Sequence, residues 1–548
     1  LISHRVFHKQ IVALPLVGLG LLIGSCAVFE KYEVRIETVG KEIGKKSNLT
    51  PIEPKSNVAD PSKSSPPHKG PIRIIIQEAV LTALENNRSL IVEQLNPSIQ
   101  QTAEEQEQAV FDPVFDAEVS AGRIDAQRLA KSGDTIESVV TDTYEGDLSL
   151  KQFFSTGTTV EVAGTTETTE SSLYVDPFSS TRFGLTVTQA LLRGRGADVN
   201  LVKLRQARLE TRISNYELRG FTESLVAEVE TTYWDYALAR RRIGIFQESL
   251  KLAEQQLRQT KEIIAVGKLA EAEMAAVQAE VALQRQGLID ARSSMESFRL
   301  RLLRLLNLPG NNLWNREIIL LHEPTLPEVN LGDVETHVSL ALRMRPDLNQ
   351  ARLGIQQGDL EVSRTKNGLL PVMKLFVRLG KTGYAGSFSD SLTDITGDNY
   401  DVSGGISFQY PFRNRVAKAR QERALLRQDQ AEKALDNLEQ LAEVDVRGAY
   451  IEVNRAKEQI DASAATRKFQ EEKLRIETEK FRVGRSTSFL VAQAQRDLLV
   501  SKINEVQAVA NYLKALIGLY RQEGSLLERR GISAPGSRPV VLSKKNNP

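Results

Sequence analysis

The chain has 548 residues, a single cysteine and a net charge of +1, from 71 basic and 70 acidic side chains. That balance leaves no basic footprint for a polyanion, so nucleic acid is not an expected partner, and Cys26 alone allows no internal disulfide. Of the five histidines, His4 and His8 stand four apart in the N-terminal signal-like segment and His68 in the linker, while His322 and His337 belong to no metal-ligand motif; there is no nucleophile elbow or phosphate loop, so no metal, cofactor or enzymatic activity is expected.

Arg5 and Lys9 precede an apolar run from Ile11 to Ile23, followed by Gly24, Ser25 and Cys26. The run is too short for the roughly 20 residues a helix needs to cross a bilayer. A basic start, a short apolar core and small residues describe a secretory signal over 1–25. The position of Cys26 resembles a bacterial lipoprotein signal, in which the cysteine becomes the lipidated first residue. Ala27 follows it, so the aspartate that retains such proteins at the inner membrane is absent. The rest of 26–75 is rich in Lys, Pro and Ser and reads as a linker without structure.

The pattern predicts a helix over 77–110. Strands follow at matched period two. Phe115, Ala117, Val119 and Ala121 alternate with Asp116, Glu118 and Ser120; Leu185 and Val187 alternate with Thr186 and Thr188. Such alternation marks a sheet with one apolar and one polar face. Two further runs, around Leu148 and around Val160, are joined by STGT. They fit either an added hairpin in an extracellular loop or a wider barrel, and the loop is the expected reading. Helices are predicted over 197–265 and 269–307, with Gly267 between them.

The second half repeats this order: a helix over 333–370, strands at 372–380 and 402–412, and helices at 415–482 and 487–520. In the first of these last two, Leu435, Leu438, Ala442, Val446, Ala449, Val453, Ala456 and Ile460 step by three and four, as a coiled-coil seam does. Residues 83–90 read ALENNRSL and 341–348 read ALRMRPDL. The distance from Ala83 to Pro113 (113 − 83 = 30) equals that from Ala341 to Pro371 (371 − 341 = 30). The chain therefore reads as a duplicated helix–sheet–helix–helix unit: first repeat 76–330, second repeat 331–528, and a flexible tail at 529–548. It is mainly α with membrane β, built of long antiparallel coiled-coil hairpins and β-hairpins.

The element order, LPVMKLFVRLG, FGLTVTQALLRG and the paired turns AVGKLA and RVGRST together resemble the TolC-like outer membrane efflux protein family over roughly 75–528. The resemblance implies a homotrimer. Each chain would give β-hairpins to a shared outer-membrane barrel and helical hairpins to a periplasmic tunnel. The physics agrees, because two hairpins alone cannot close a barrel and open edges do not survive in lipid. Tyr144, Phe153, Tyr174, Tyr384 and Tyr400 fall near strand ends, where an aromatic girdle is expected.

The resemblance also implies sites. Gly267 and Gly484 read on their own as helix C-caps. In the family these turns form the tips that dock a periplasmic adaptor, which carries over to Val266, Gly267, Lys268 and Leu269, and to Val483, Gly484, Arg485, Ser486 and Thr487. Acidic residues constrict the tunnel just beyond the second tip in the best-known members. The matching positions here are Leu490 and Gln493, with Asp497 one turn further, so an uncharged gate is expected. Leu490 could equally be seam packing. The implied partners are the adaptor, an inner-membrane pump or ABC exporter, and outer-membrane lipid. The implied role is an exit duct for efflux or type I secretion; the alternative is a non-conducting trimeric scaffold of the cell envelope.

Overall fold

The computed structural model describes residues 70–129, 133, 135–309, 313–322, 326–327 and 331–542. The chain divides into Leu1–Ser65 and Pro66–Pro548, and every described residue belongs to the second unit. The signal segment, Cys26 and nearly all of the linker lie outside the described residues.

First come β1 (Ile72–Ile74), α1 (Ile76–Asn86), α2 (Arg88–Glu93) and α3 (Asn96–Gln108). Four strands follow: β2 (Val114–Leu129), β3 (Ile136–Phe153), β4 (Thr158–Ser171) and β5 (Phe178–Ala190). The short α4 (Ala197–Asn200) leads into α5 (Val202–Ala265), which turns back as α6 (Glu273–Leu306). After β6 (Ile318–Leu320), the second half holds α7 (Val334–Met344), α8 (Pro346–Gly368), β7 (Val372–Ala385), α9 (Phe388–Asp394) and β8 (Tyr400–Gln409). It closes with α10 (Arg415–Arg482), α11 (Ser488–Gln522) and α12 (Leu526–Arg529).

Several helices expected as single rods are broken, and each break has a local cause. The one expected over 77–110 is three. Asn87 ends α1 in extended backbone, and its Oδ1 accepts from the amides of Ser89 and Leu90 at 3.0 and 3.1 Å, capping α2. Pro97 sits in the first turn of α3, where a missing amide costs nothing. Pro346 likewise starts α8 and separates it from α7, so 333–370 is two helices. The helix expected from 269 starts at Glu273.

The long rods are continuous. At 1.5 Å per residue, the 64 residues of α5 and 68 of α10 extend for roughly 100 Å each. Shorter helices flank each rod. Along α5, α6 is tied by Arg285–Glu254 (3.0 Å) and Arg301–Glu228 (3.0 Å), and α3 by Thr211–Glu104 (2.7 Å). Along α10, α8 is tied by Arg352–Glu439 (2.9 Å) and α11 by Arg467–Glu505 (2.6 Å). The predicted seam is real: Leu435, Ala442, Val446, Val453, Ala456 and Ile460 are buried, with Leu438 and Ala449 half-buried. The small alanines let neighbouring helices approach closely.

β1 and β6 pair in parallel, and a core shared by the two halves forms around Val229, Tyr233, Leu302, Leu306, Leu516 and Leu519. Charges are buried beside it. The Arg219 guanidinium donates to Glu528 Oε1 at 2.6 Å and the Gly524 carbonyl at 3.0 Å, and lies 3.1 Å from Glu223. Burial pushes the Glu223 carboxyl up to about 7 against the opposing pull of Arg219. The folded state then holds a proton that the unfolded chain, near 4.5, has released. This contribution to stability is present at low pH and is lost as pH rises toward and through 7, a change on the order of 3 kcal/mol. Thermal unfolding at pH 5 and pH 8 is expected to show the decline, and Glu223→Gln to flatten it; an unchanged slope would exclude Glu223 as its source.

No described helix is long and apolar enough to cross a membrane. The sheet is another matter. β2, β3, β4, β5, β7 and β8 form one antiparallel sheet in that order. Register places Phe115, Leu150, Val162, Leu185, Leu379 and Val402 in one row across all six strands. All six side chains are exposed. The next row lies on the opposite face and is largely polar: Lys151, Glu161, Thr186, Arg378 and Ser403. On that polar face Arg182 of β5 reaches over β7 to Asp401 of β8, forming two hydrogen bonds of 3.1 and 2.6 Å. Gly380 makes room: a Cβ there would stand 2.4 Å from Asp401 Oδ1.

Two expectations about the sheet are corrected. The runs around Leu148 and Val160 are not an outlying loop; they are β3 and β4, paired into the sheet between β2 and β5. The aromatic residues do not form one girdle either. Tyr144 and Tyr400 share the apolar face, but Phe153 and Tyr384 have the opposite phase, and Tyr174 lies in the β4–β5 loop. Phe153 stacks on Phe111 and Tyr384 on Phe178, with ring centroids 5.8 and 5.9 Å apart.

Candidate docking tips and gate helix

The turns at the far ends of the two helical hairpins have nearly the same geometry. α5 ends at Val266 (φ −90°, ψ 8°) and α10 at Val483 (φ −94°, ψ 9°). The glycines that follow are left-handed, Gly267 at φ +74° and Gly484 at φ +72°. The Gly267 amide donates to the Ile264 carbonyl at 2.9 Å and the Lys268 amide to Ile263 at 3.1 Å. In the second turn Gly484 donates to Phe481 at 3.0 Å and Arg485 to Lys480 at 2.8 Å. This is the Schellman pattern, and it requires a residue that tolerates positive φ. Nothing lies within 4 Å of where a Cβ would stand at either glycine, so both turns are open at their outer surface.

Val266, Val483, Gly267, Gly484, Lys268, Arg485 and Thr487 are exposed, whereas Leu269 and Ser486 are half-buried. Ser486 Oγ donates to Glu477 Oε2 at 2.8 Å, which holds the second turn against its own helix. Thr487 caps α11 by accepting from the Leu490 amide at 3.4 Å.

A contact that the sequence does not announce ties the tips together. The Ser488 amide donates to Glu273 Oε2 at 3.1 Å, and the Ser488 hydroxyl donates to the same carboxylate. Glu273 begins α6 and Ser488 begins α11, so the start of each returning helix is fixed to the other. The two residues are 215 positions apart, and neither stands in a motif.

Leu490, Gln493 and Asp497 lie on one stripe of α11, at spacings of three and four. Leu490 and Gln493 are exposed, so Leu490 is not packed into a seam within this chain. Asp497 is different: its Oδ2 accepts from Lys473 Nζ of α10 at 2.7 Å. The carboxylate of this stripe therefore already has a cationic partner. One residue back, Arg496 points toward α6 and lies 3.4 Å from buried Glu280. This stripe of α11 is thus held on both flanks by ion pairs.

A family model described as outer membrane efflux protein matches residues 80–308 and 337–525, about three quarters of the chain (418 of 548 residues). The chain belongs to the outer membrane efflux protein family. Solved channels of similar fold include the Campylobacter jejuni CmeC outer membrane channel, with a TM-score of 0.62 at 18% identity, covering 82% of this chain and 86% of that one. The outer-membrane channel OprN gives 0.62 at 18% identity, covering 82% and 90%. The Neisseria gonorrhoeae MtrE outer membrane channel gives 0.59 at 18%, covering 82% and 89%. No curated protein sequence matches the chain. At these identities the structures establish the fold, mostly helical with one antiparallel sheet, and the family establishes an efflux protein of the outer membrane.

Proposed function

We propose that three copies of this chain form an outer-membrane channel-tunnel, the exit duct of a tripartite efflux pump or a type I secretion system. One observation carries the reading. The sheet presents six large apolar side chains in a single uncovered row, while its reverse face is largely polar. A water-soluble sheet would cover such a row. Lipid on one side and water on the other suits it. Among the described residues, β2 and β8 each lack a second partner strand, and open edges do not persist in a bilayer. Further copies must therefore close the wall.

The duct is a passive conduit that hydrolyses nothing; an inner-membrane pump or ABC exporter supplies the energy. Val266 to Leu269 and Val483 to Thr487 dock the periplasmic adaptor, and the Leu490–Gln493 stripe of α11 lines the constriction. The chain is a duplication, with repeats at 76–330 and 331–528 that accord with the two matched segments. The alternative, a non-conducting scaffold, leaves the apolar row without a purpose. Native mass measurement of protein extracted in detergent from the outer-membrane fraction is expected to give three chains. A stable monomer that conducts ions would contradict the architecture.

Residues 1–25 are proposed as the signal and Cys26 as the lipid anchor. Cys26→Ser is expected to abolish incorporation of a fatty-acid probe while leaving membrane association through the barrel. Unchanged labelling would end the lipoprotein reading.

A further inference from the structure

The β3–β4 pair lies where a simpler sheet would join β2 directly to β5. Its position is fixed by two observations. First, its apolar face is in step with the rest: Leu150 and Val162 stand between Phe115 and Leu185 in the row that crosses every strand. Second, the tight turn joining β3 to β4 lies at the helix-side end of the sheet. The Ser155 carbonyl accepts from Asn200 Nδ2 at 2.9 Å, and the Thr156 carbonyl accepts from the Gly196 amide at 3.0 Å, both at the start of the helical rods. The Ala190 amide, at the end of β5, donates to the Gly157 carbonyl at 2.9 Å. A hairpin held in an extracellular loop would turn at the opposite end. This one runs the full height of the sheet.

We propose that β3 and β4 are part of the membrane wall, so that three chains of six strands close a barrel of 18 (3 × 6). This rests on the trimeric channel reading and extends it to the size of the outlet. Strands about 4.8 Å apart and tilted about 40° each occupy roughly 6 Å of circumference. Eighteen strands then give a backbone diameter of about 36 Å, and four strands per chain would give about 24 Å.

The consequence is for cargo. After side chains line the wall, about 25 Å of lumen remains, enough for bulky amphiphiles or an extended polypeptide. The outlet does not select by size, and the narrowest point is left to the helix tips.

The test uses full-length protein with Cys26→Ser, reconstituted in liposomes, carrying one nitroxide at a time at Leu150→Cys, Val162→Cys, Leu379→Cys or Val402→Cys. Collision with oxygen against a water-soluble nickel chelate reports lipid or water. All four sites are expected to report lipid, at matching depth. Water at 150 and 162 with lipid at 379 and 402 would overturn the proposal and leave the channel reading standing. Water at all four would overturn both. As a second readout, the barrel imaged in nanodiscs should measure about 36 Å across, and deletion of 130–171 should narrow it to about 24 Å. A native barrel already near the smaller value would also overturn it.

Discussion

A chain carrying both Gly267→Val and Gly484→Val is expected to form trimers as before and to lose adaptor-dependent transport. Both glycines hold φ above +70°, where a β-branched side chain is strained. The cost is on the order of 1–2 kcal/mol at each turn. No neighbouring atom lies within 4 Å of either position, so the strain is entirely in the backbone and the effect stays local. The turns lie at the opposite ends of the rods from the sheet, so closure of the barrel should be unaffected. Gly267→Asn with Gly484→Asn is the control, because asparagine tolerates the left-handed region. Co-purification with the adaptor should survive the asparagine pair and fail with the valine pair. Transport that survives the valine pair would show that the tips do not carry the contact.

The second large effect concerns the proposed constriction. Rings of carboxylates make a channel cation-selective and sensitive to block by multivalent cations. Leu490 and Gln493 provide no such charge, and Asp497 is paired with Lys473 at 2.7 Å. The unmodified channel is therefore expected to resist block by a trivalent cation added on the periplasmic side. Gln493→Asp would place three carboxylates around the axis and should lower the half-blocking concentration by about tenfold or more, equivalent to about 1.4 kcal/mol. Lys473→Gln, which frees Asp497, should act in the same direction but more weakly. Strong block of the unmodified channel, relieved by Asp497→Asn, would overturn the uncharged gate and put Asp497 in its place.

Much of the fold is legible in the sequence because periodicity reports burial directly. The α10 seam can be read residue by residue, since each step of three or four returns to the same face. The strands can be read because period two separates the apolar row from the polar one. The same rule, applied fully, places the aromatics. Phe153 is three residues from Leu150 and Tyr384 five from Leu379, and odd separations put side chains on opposite faces of a strand. The helix breaks escape a periodic reading because apolar spacing runs on through Asn87, Pro97 and Pro346, whereas caps and missing amides act locally. The β3–β4 pair has the right period but no sign of its level in the sheet. That depends on the contacts of Ser155 and Thr156 with the start of the helices. The Ser488–Glu273 tie has no signal at all, because two ordinary polar residues become neighbours only after both hairpins have folded.

The most direct measurement is single-channel recording of the purified full-length protein in a planar bilayer, with its mass determined in the same preparation. A trimer that opens an ion-conducting pore is the expected result. A correctly folded trimer that inserts into the bilayer and never conducts would contradict the exit-duct account and favour the envelope scaffold.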